Sequence, residues 1–376
     1  MSYNQKLDSV QALRGFAAMS VFIFHMRFQF PTGVQAVDES VWNVVMKGFL
    51  GVDIFFVISG FILAWVGVLS RSNGPVSPLE FGIKRAFRVA PAFWASMAVI
   101  AYILGRGATN DDLLKMLAFY PLGNLPAPYY SEMLNEVGWT LNYEMAFYAI
   151  FCACLVFGRF ALAAVSIALA GLVLVAPMAY GLAPSINPHN SVIPFNNLYA
   201  RLATNPLMLE FLAGVGCAWI YAKYRDRVSI GFSFGLMGVG AFFLGLSYVT
   251  TDLKMSLLSA ALPTTVLLVG ALFAEHHGQL RIPRFAVWLG DISFALYLTH
   301  WTLERVAIKY FPHPIGIAGE WGRMLVLTAA GLIVAHFWKR YIEDPTAAWG
   351  TALAKLFRPK REVMAPETVP MQMRAE

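Results

Sequence analysis

The stretch GFLGVDIFFVISGFILAWVGVL (residues 48–69) decides what kind of protein this is, because its 22 residues hold a single ionisable side chain, Asp53. A helix over it rises about 33 Å, enough to cross the hydrocarbon core of a bilayer. Nine further stretches read the same way: 11–30, 89–105, 138–157, 160–181, 206–222, 229–249, 255–274, 286–308 and 320–342. The composition agrees. Of 376 residues, 58% are hydrophobic and only 13% are charged, where soluble domains carry about 25%. An ordinary soluble enzyme, a disordered chain and a disulfide-stapled fold are all excluded. Cys152, Cys154 and Cys217 lie inside apolar stretches and read as small buried hydrophobes, so neither a disulfide framework nor a metal site is expected. The expected fold is an all-α polytopic membrane protein with about ten transmembrane helices in one bundle. Its membrane domain covers 1–345, and a disordered cytoplasmic tail follows over 346–376.

An even number of spans puts both termini on one side, and basic residues say which side that is. With both ends inside, the inner segments hold 18 of the 28 Lys and Arg and the outer ones eight, while Arg14 and Arg305 lie within spans. This predicts an N-in/C-in topology in the cytoplasmic (inner) membrane. The net charge of +6 is then a topology and membrane-lipid signal, and no nucleic-acid partner is expected.

Ionisable groups within apolar spans mark function or a partner. Arg14 and His25 share the first span, three helical turns and about 16 Å apart on one face. Counted from the span starts, His25, Asp53, Glu144 and His300 all fall roughly 7–9 Å below the outer boundary. An imidazole and carboxylates in one layer suit a general base with an orienting acid. On the inner side, Lys84, Arg85 and Arg88 occupy successive turns of FGIKRAFRVAPAFW (81–94) and offer forks and point charges to phosphate. A donor with a phosphate head inside and a reactive end about 16 Å further along the first helix fits this spacing. Coenzyme A has that shape.

At these residues the chain resembles the membrane acyltransferase family 3, and more closely its exopolysaccharide-type O-acetyltransferases. LDSVQALRGFAAMSVFIFH (7–25) resembles the family's opening, an Arg and a His separated by ten residues. GVDIFFVISGFILAW (51–65), FGIKRAFRVAP (81–91), WTLNYEMAFY (139–148), ISFALYLTHWTL (292–303) and YIEDP (341–345) resemble its later segments in the same order. Thr302, Met145 and the Asn142-Tyr143 pair depart from the family pattern.

The resemblance implies an integral membrane O-acyltransferase that passes an acyl group, most often acetyl, from cytosolic acyl-CoA (acetyl-CoA) to a hydroxyl of a polysaccharide or lipid-linked oligosaccharide. It implies no tightly bound cofactor, and the machinery of polysaccharide synthesis or export as a partner. Within that reading Lys84, Arg85, Arg88 and Arg14 hold the donor. His25 acts as base or as acyl-carrying nucleophile, and Glu144 orients its imidazole. Asp53 and His300 support the site or bind acceptor, and Trp139 and Tyr143 stack on sugar. The rival readings are a transporter or flippase whose intramembrane charges couple ions to a solute, and a membrane scaffold subunit.

Overall fold

The computed structural model describes residues 7–30, 39–71, 74–190, 193, 195–250, 255–313 and 316–357. Among them the regular structure is helical, with no strand. The bundle is built from α1 (Asp8–Met26), α2 (Gly51–Ala64), α3 (Pro78–Leu104), α4 (Trp139–Cys154), α5 (Ala161–Ala170), α6 (Met208–Tyr224), α7 (Ile230–Val249), α8 (Leu262–His276), α9 (Arg284–Asp291), α10 (Ser293–Tyr310), α11 (Ile317–Trp338) and α12 (Asp344–Leu356).

Six continuous helical runs are long and apolar enough to cross a membrane: Glu39–Leu69, Pro78–Leu104, Glu136–Ala179, Ile230–Val249, Leu257–His276 and Ala318–Leu356. The third of these covers both expected spans 138–157 and 160–181; the chain bends between them at Gly158, whose φ of 57° suits a residue without Cβ. By contrast α1 and α10, at 19 and 18 residues, carry ionisable side chains in their interiors, and α6, at 17 residues, carries Glu210 in its first turn. The chain is therefore an all-helical, multi-pass membrane protein.

Two expectations need correction. The third span starts at Pro78, not near 89, because Ser77 caps the helix by accepting the Glu80 amide at 3.2 Å and Pro78 fills the first turn. Lys84, Arg85 and Arg88 thus lie on the transmembrane helix itself, and Pro91 is interior. The stretch after 345, expected to be disordered, instead forms α12, since TAAWGTALAKL (346–356) is rich in helix formers behind a first-turn Pro345. It packs against α3, where a Cβ on Gly350 would come within 2.4 Å of Phe87 Cβ. Residues 358–376 lie outside the described residues.

Helix α1 is central, packed on α2, α8, α9 and α10. Lipid supplies no hydrophobic drive between helices, so close backbone approach at small residues does the work. A Cβ on Gly290 would sit 2.0 Å from Gln11 O, which seats α9 on α1. In the same way Gly60 and Gly214 let α2 and α6 meet; a Cβ on either would fall 2.0 Å from a carbonyl oxygen, of Phe211 and Val57 respectively. The start of α1 is closed from outside its own sequence. Leu7 offers no cap, and the Glu275 carboxylate on α8 accepts Asp8 N–H at 2.7 Å and Ser9 N–H at 3.0 Å, and also the Ser9 hydroxyl. An anion on a helix N-terminus is favourable for the unpaired amides and for the dipole. Glu275→Ala should cost about 1.5–3 kcal/mol, read as a lower melting temperature in detergent, with Glu275→Gln recovering part of the loss. An unchanged melting temperature in Glu275→Ala would remove this cap from the stability of α1.

Candidate active site

Two cavities of about 400 and 380 Å³ lie along α1 and meet at a shared wall of Val52 and Tyr297. The proximal cavity, at the end where α1 begins, is lined by Gln11, Arg14, Ser59, Arg85, Arg88, Glu144 and Tyr148 among apolar residues of α2, α3, α4 and α10. The distal cavity is lined by His25, Phe24, Phe49, Tyr129, Trp139 and His189, with Val21, Val137 and Met255. The wall is braced: Tyr297 Oη lies 2.7 Å from Thr140 Oγ1 and donates to Val137 O at 3.0 Å.

The polar side chains of the proximal cavity form a connected network. The Arg85 guanidinium lies 5.8 Å from the centroid of the Tyr148 ring. Tyr148 donates to Glu144 Oε1, which also accepts from Ser59 Oγ at 3.2 Å. Arg14 Nη1 donates to Gln11 Oε1 at 3.3 Å, and its guanidinium feels both Arg88 and Glu343. Three guanidiniums therefore face one pocket with two carboxylates nearby, which leaves a net positive site suited to a polyanion. Lys84 does not join it. Its ammonium pairs with Glu80 one turn away at 2.6 Å, outside the cavity lining.

In the distal cavity the His25 imidazole is oriented by its neighbours. His300 Nδ1 donates to Leu296 O at 3.1 Å, so its Nε2 carries the lone pair. His25 Nδ1 donates to Val21 O at 2.9 Å and lies 3.1 Å from His300 Nε2, which accepts the same proton. This tautomer, assigned from the hydrogen bonds, leaves His25 Nε2 as the basic nitrogen in a residue that lines the cavity. Trp301 meets the His25 ring edge-on at 5.3 Å and fixes its plane.

The four residues expected in one layer divide into three places. His25 and His300 come together. Glu144 does not reach His25; it sits on the other side of the Tyr297–Thr140 wall, in the arginine network. Asp53 lines neither cavity; it is fully buried on α2, as Glu210 is on α6, and the carboxyl oxygens of both lack a hydrogen-bond partner among the described residues. Counting residues from a span start yields depth but no azimuth, and azimuth separates these groups. Trp139 lines the distal cavity. Tyr143 is fully buried instead and donates to Pro128 O at 2.8 Å. Ser59, Tyr148, Tyr297, His189, Tyr129 and Glu343 were missed. The signals available for them were position within the quoted segments, Tyr148 at the end of WTLNYEMAFY and Glu343 in YIEDP; His189 and Tyr129 lie in loops without any such signal.

Comparison with known proteins bears on this geometry. The family described as an acyltransferase domain, acyltransferase family 3, matches residues 7–337. The exopolysaccharide production protein ExoZ of Rhizobium meliloti (strain 1021) is 31% identical over 70% of this chain and 78% of its own. Acyltransferase MdmB of Streptomyces mycarofaciens is 26% identical over 90% of this chain and 91% of its own. The peptidoglycan O-acetyltransferase OatA of Listeria monocytogenes is 23% identical over 91% of this chain and 56% of its own. No solved structure matches. A profile spanning almost the whole bundle, with its two cavities, means that the chain belongs to acyltransferase family 3 and is an acyltransferase.

Proposed function

We propose that the protein transfers an acyl group, acetyl in the main reading, from cytosolic acyl-CoA in the proximal cavity to a glycan hydroxyl in the distal cavity. The observation that carries this is the end-to-end placement of the cavities. Arg14 and His25 are eleven residues apart on one face of α1, about 16 Å, with one cavity around each and a two-residue wall between them. That separation suits a donor whose phosphates bind arginines and whose thioester sits at the end of a long arm. The names of the exopolysaccharide protein and the peptidoglycan O-acetyltransferase support a glycan acceptor.

In this mechanism Arg14, Arg85 and Arg88 bind the phosphates and Glu144 stands beside the arm. His25 Nε2 takes the proton of the acceptor hydroxyl as its oxygen attacks the thioester carbonyl. The C–S bond breaks, and the thiolate recovers the proton from His25. His300 Nε2, already accepting the Nδ1 proton, stabilises the transient imidazolium in the place that a carboxylate occupies in a triad. The alternative in which His25 Nε2 attacks first and carries the acyl group uses the same geometry. We further propose about ten spans with both ends cytoplasmic in the inner membrane, which puts the arginine cavity on the acyl-CoA side and His25 on the outward side. The machinery of polysaccharide synthesis or export would then supply the acceptor.

His25→Ala should abolish acetyl transfer by purified protein while acetyl-CoA still binds, and His300→Ala should slow it by about 10²-fold or more. Wild-type turnover in His25→Ala would remove that residue from the mechanism. Arg14→Gln, Arg85→Gln and Arg88→Gln should each weaken acetyl-CoA binding by roughly 10–100-fold, the worth of a charge-assisted hydrogen bond. Lys84→Gln should change it less than about threefold because its charge is spent on Glu80. Equal losses at all four positions would contradict the assignment. For orientation, Leu125→Cys in a cysteine-free background should react with an impermeant maleimide on intact cells, and Arg71→Cys only after lysis. The reverse pattern would invert the topology.

A further inference from the structure

Beyond His25, the wall of the distal cavity presents Tyr129, Trp139 and His189, which meet as a corner of aromatic faces. The Tyr129 and Trp139 rings are 5.0 Å apart at 76°, and Tyr129 and His189 are 6.3 Å apart at 67°. They come from three separate segments, and each segment is held from behind. Tyr143 Oη donates to Pro128 O at 2.8 Å, and Ser131 Oγ accepts the Leu122 amide at 2.9 Å, which pins the chain on both sides of Tyr129. Asn205, fully buried, donates to Pro188 O at 3.1 Å while accepting the Leu207 amide at 3.0 Å, and so pins the turn that carries His189. Trp139 starts α4.

Buried polar side chains that hold loops usually serve to bury the loop's own large residues. Here the aromatic that results is left open, with Tyr129 38% exposed. Rigid support behind exposed rings is the arrangement expected of a preorganised binding site. The phenol of Tyr129 is raised above its ordinary value, first by burial, and stays a neutral donor at physiological pH. Perpendicular faces that also carry O–H and N–H groups match a ligand with an apolar C–H face and a hydroxylated edge.

The nearby cations are turned elsewhere. The Arg27 guanidinium lies 3.7 Å from the Phe24 ring centroid and donates to Phe24 O at 2.7 Å, and Arg305 lies 3.9 Å from the Trp301 ring centroid. Among the described residues no Lys, Arg, Asp or Glu lines this cavity, so a carboxylate entering it would lose its hydration without an ion-pair partner in contact with it.

We infer that Tyr129, Trp139 and His189 form the acceptor subsite and that it takes an uncharged pyranose ring of a glycan, laid against Trp139 with a hydroxyl toward His25. This rests on the acyl-transfer reading and names its substrate class.

The test uses the full chain in nanodiscs with labelled acetyl-CoA, methyl β-D-glucopyranoside as the neutral probe and methyl β-D-glucuronide as the acidic one. The neutral sugar should be acetylated at a kcat/KM at least about tenfold above the acidic one. Trp139→Ala should raise KM for the neutral sugar at least about tenfold while the Kd for acetyl-CoA stays at the wild-type value, and Trp139→Phe should restore most of the loss. His189→Ala should raise the same KM, again with the Kd for acetyl-CoA unchanged. A preference for the glucuronide, an unaltered KM in both alanine variants, or no transfer to either sugar by protein that binds acetyl-CoA would overturn the subsite and leave the donor site standing. Failure of the wild-type protein to bind acetyl-CoA would overturn the acyl-transfer reading and the subsite together.

Discussion

A hydrogen bond between two imidazoles, His25 Nδ1 to His300 Nε2 at 3.1 Å, joins α1 to α10 and decides which nitrogen of His25 keeps its lone pair free. Both rings are anchored one helical turn back by their own backbone, at Val21 O and Leu296 O. The lone pairs are thereby allocated along one line: a carbonyl holds the His300 Nδ1 proton, His300 Nε2 accepts from His25, and His25 Nε2 stays open to the cavity. An imidazole acceptor adds no net charge to an apolar bundle, whereas a carboxylate there would need its own desolvation offset.

The same constraint explains where the other ionisable groups went. A buried charge survives in such a bundle only when paired and hydrogen-bonded. Tyr148 and Ser59 both donate to Glu144 along one wall, with the Arg85 guanidinium near the Tyr148 ring. Glu275 is used on the open amides of α1. Each arrangement holds a helix in place, and the two along α1 leave a positive pocket at one end and a basic nitrogen toward the other.

Much of the site was legible because its elements are local. Arg14 and His25 lie on one helix, so their spacing and common face follow from 3.6 residues per turn. Arg85 and Arg88 share a face by the same rule, and His300 was found by depth alone. Glu144 went to the wrong partner because depth is one coordinate of three. It shares a layer with His25 yet faces Ser59 behind the Tyr297–Thr140 wall. Tyr143 looked like a platform for a sugar and proved to be the pin that holds Pro128. Lys84 carries the same charge as its neighbours but pairs with Glu80, one helical turn back.

By itself the sequence determined that the chain is helical, crosses the membrane several times and carries a few ionisable groups that its apolar surroundings force into partnership. Those are properties of composition and of helical period, which act over neighbouring residues. The tertiary structure alone decided which groups became partners, that two cavities along α1 meet at Val52 and Tyr297, and that Tyr129 and His189 line the same cavity as His25. Helix tilt, rotation and loop placement are set by packing between segments far apart in the chain, at contacts as specific as Gly60 on Phe211 O, and no local pattern encodes them.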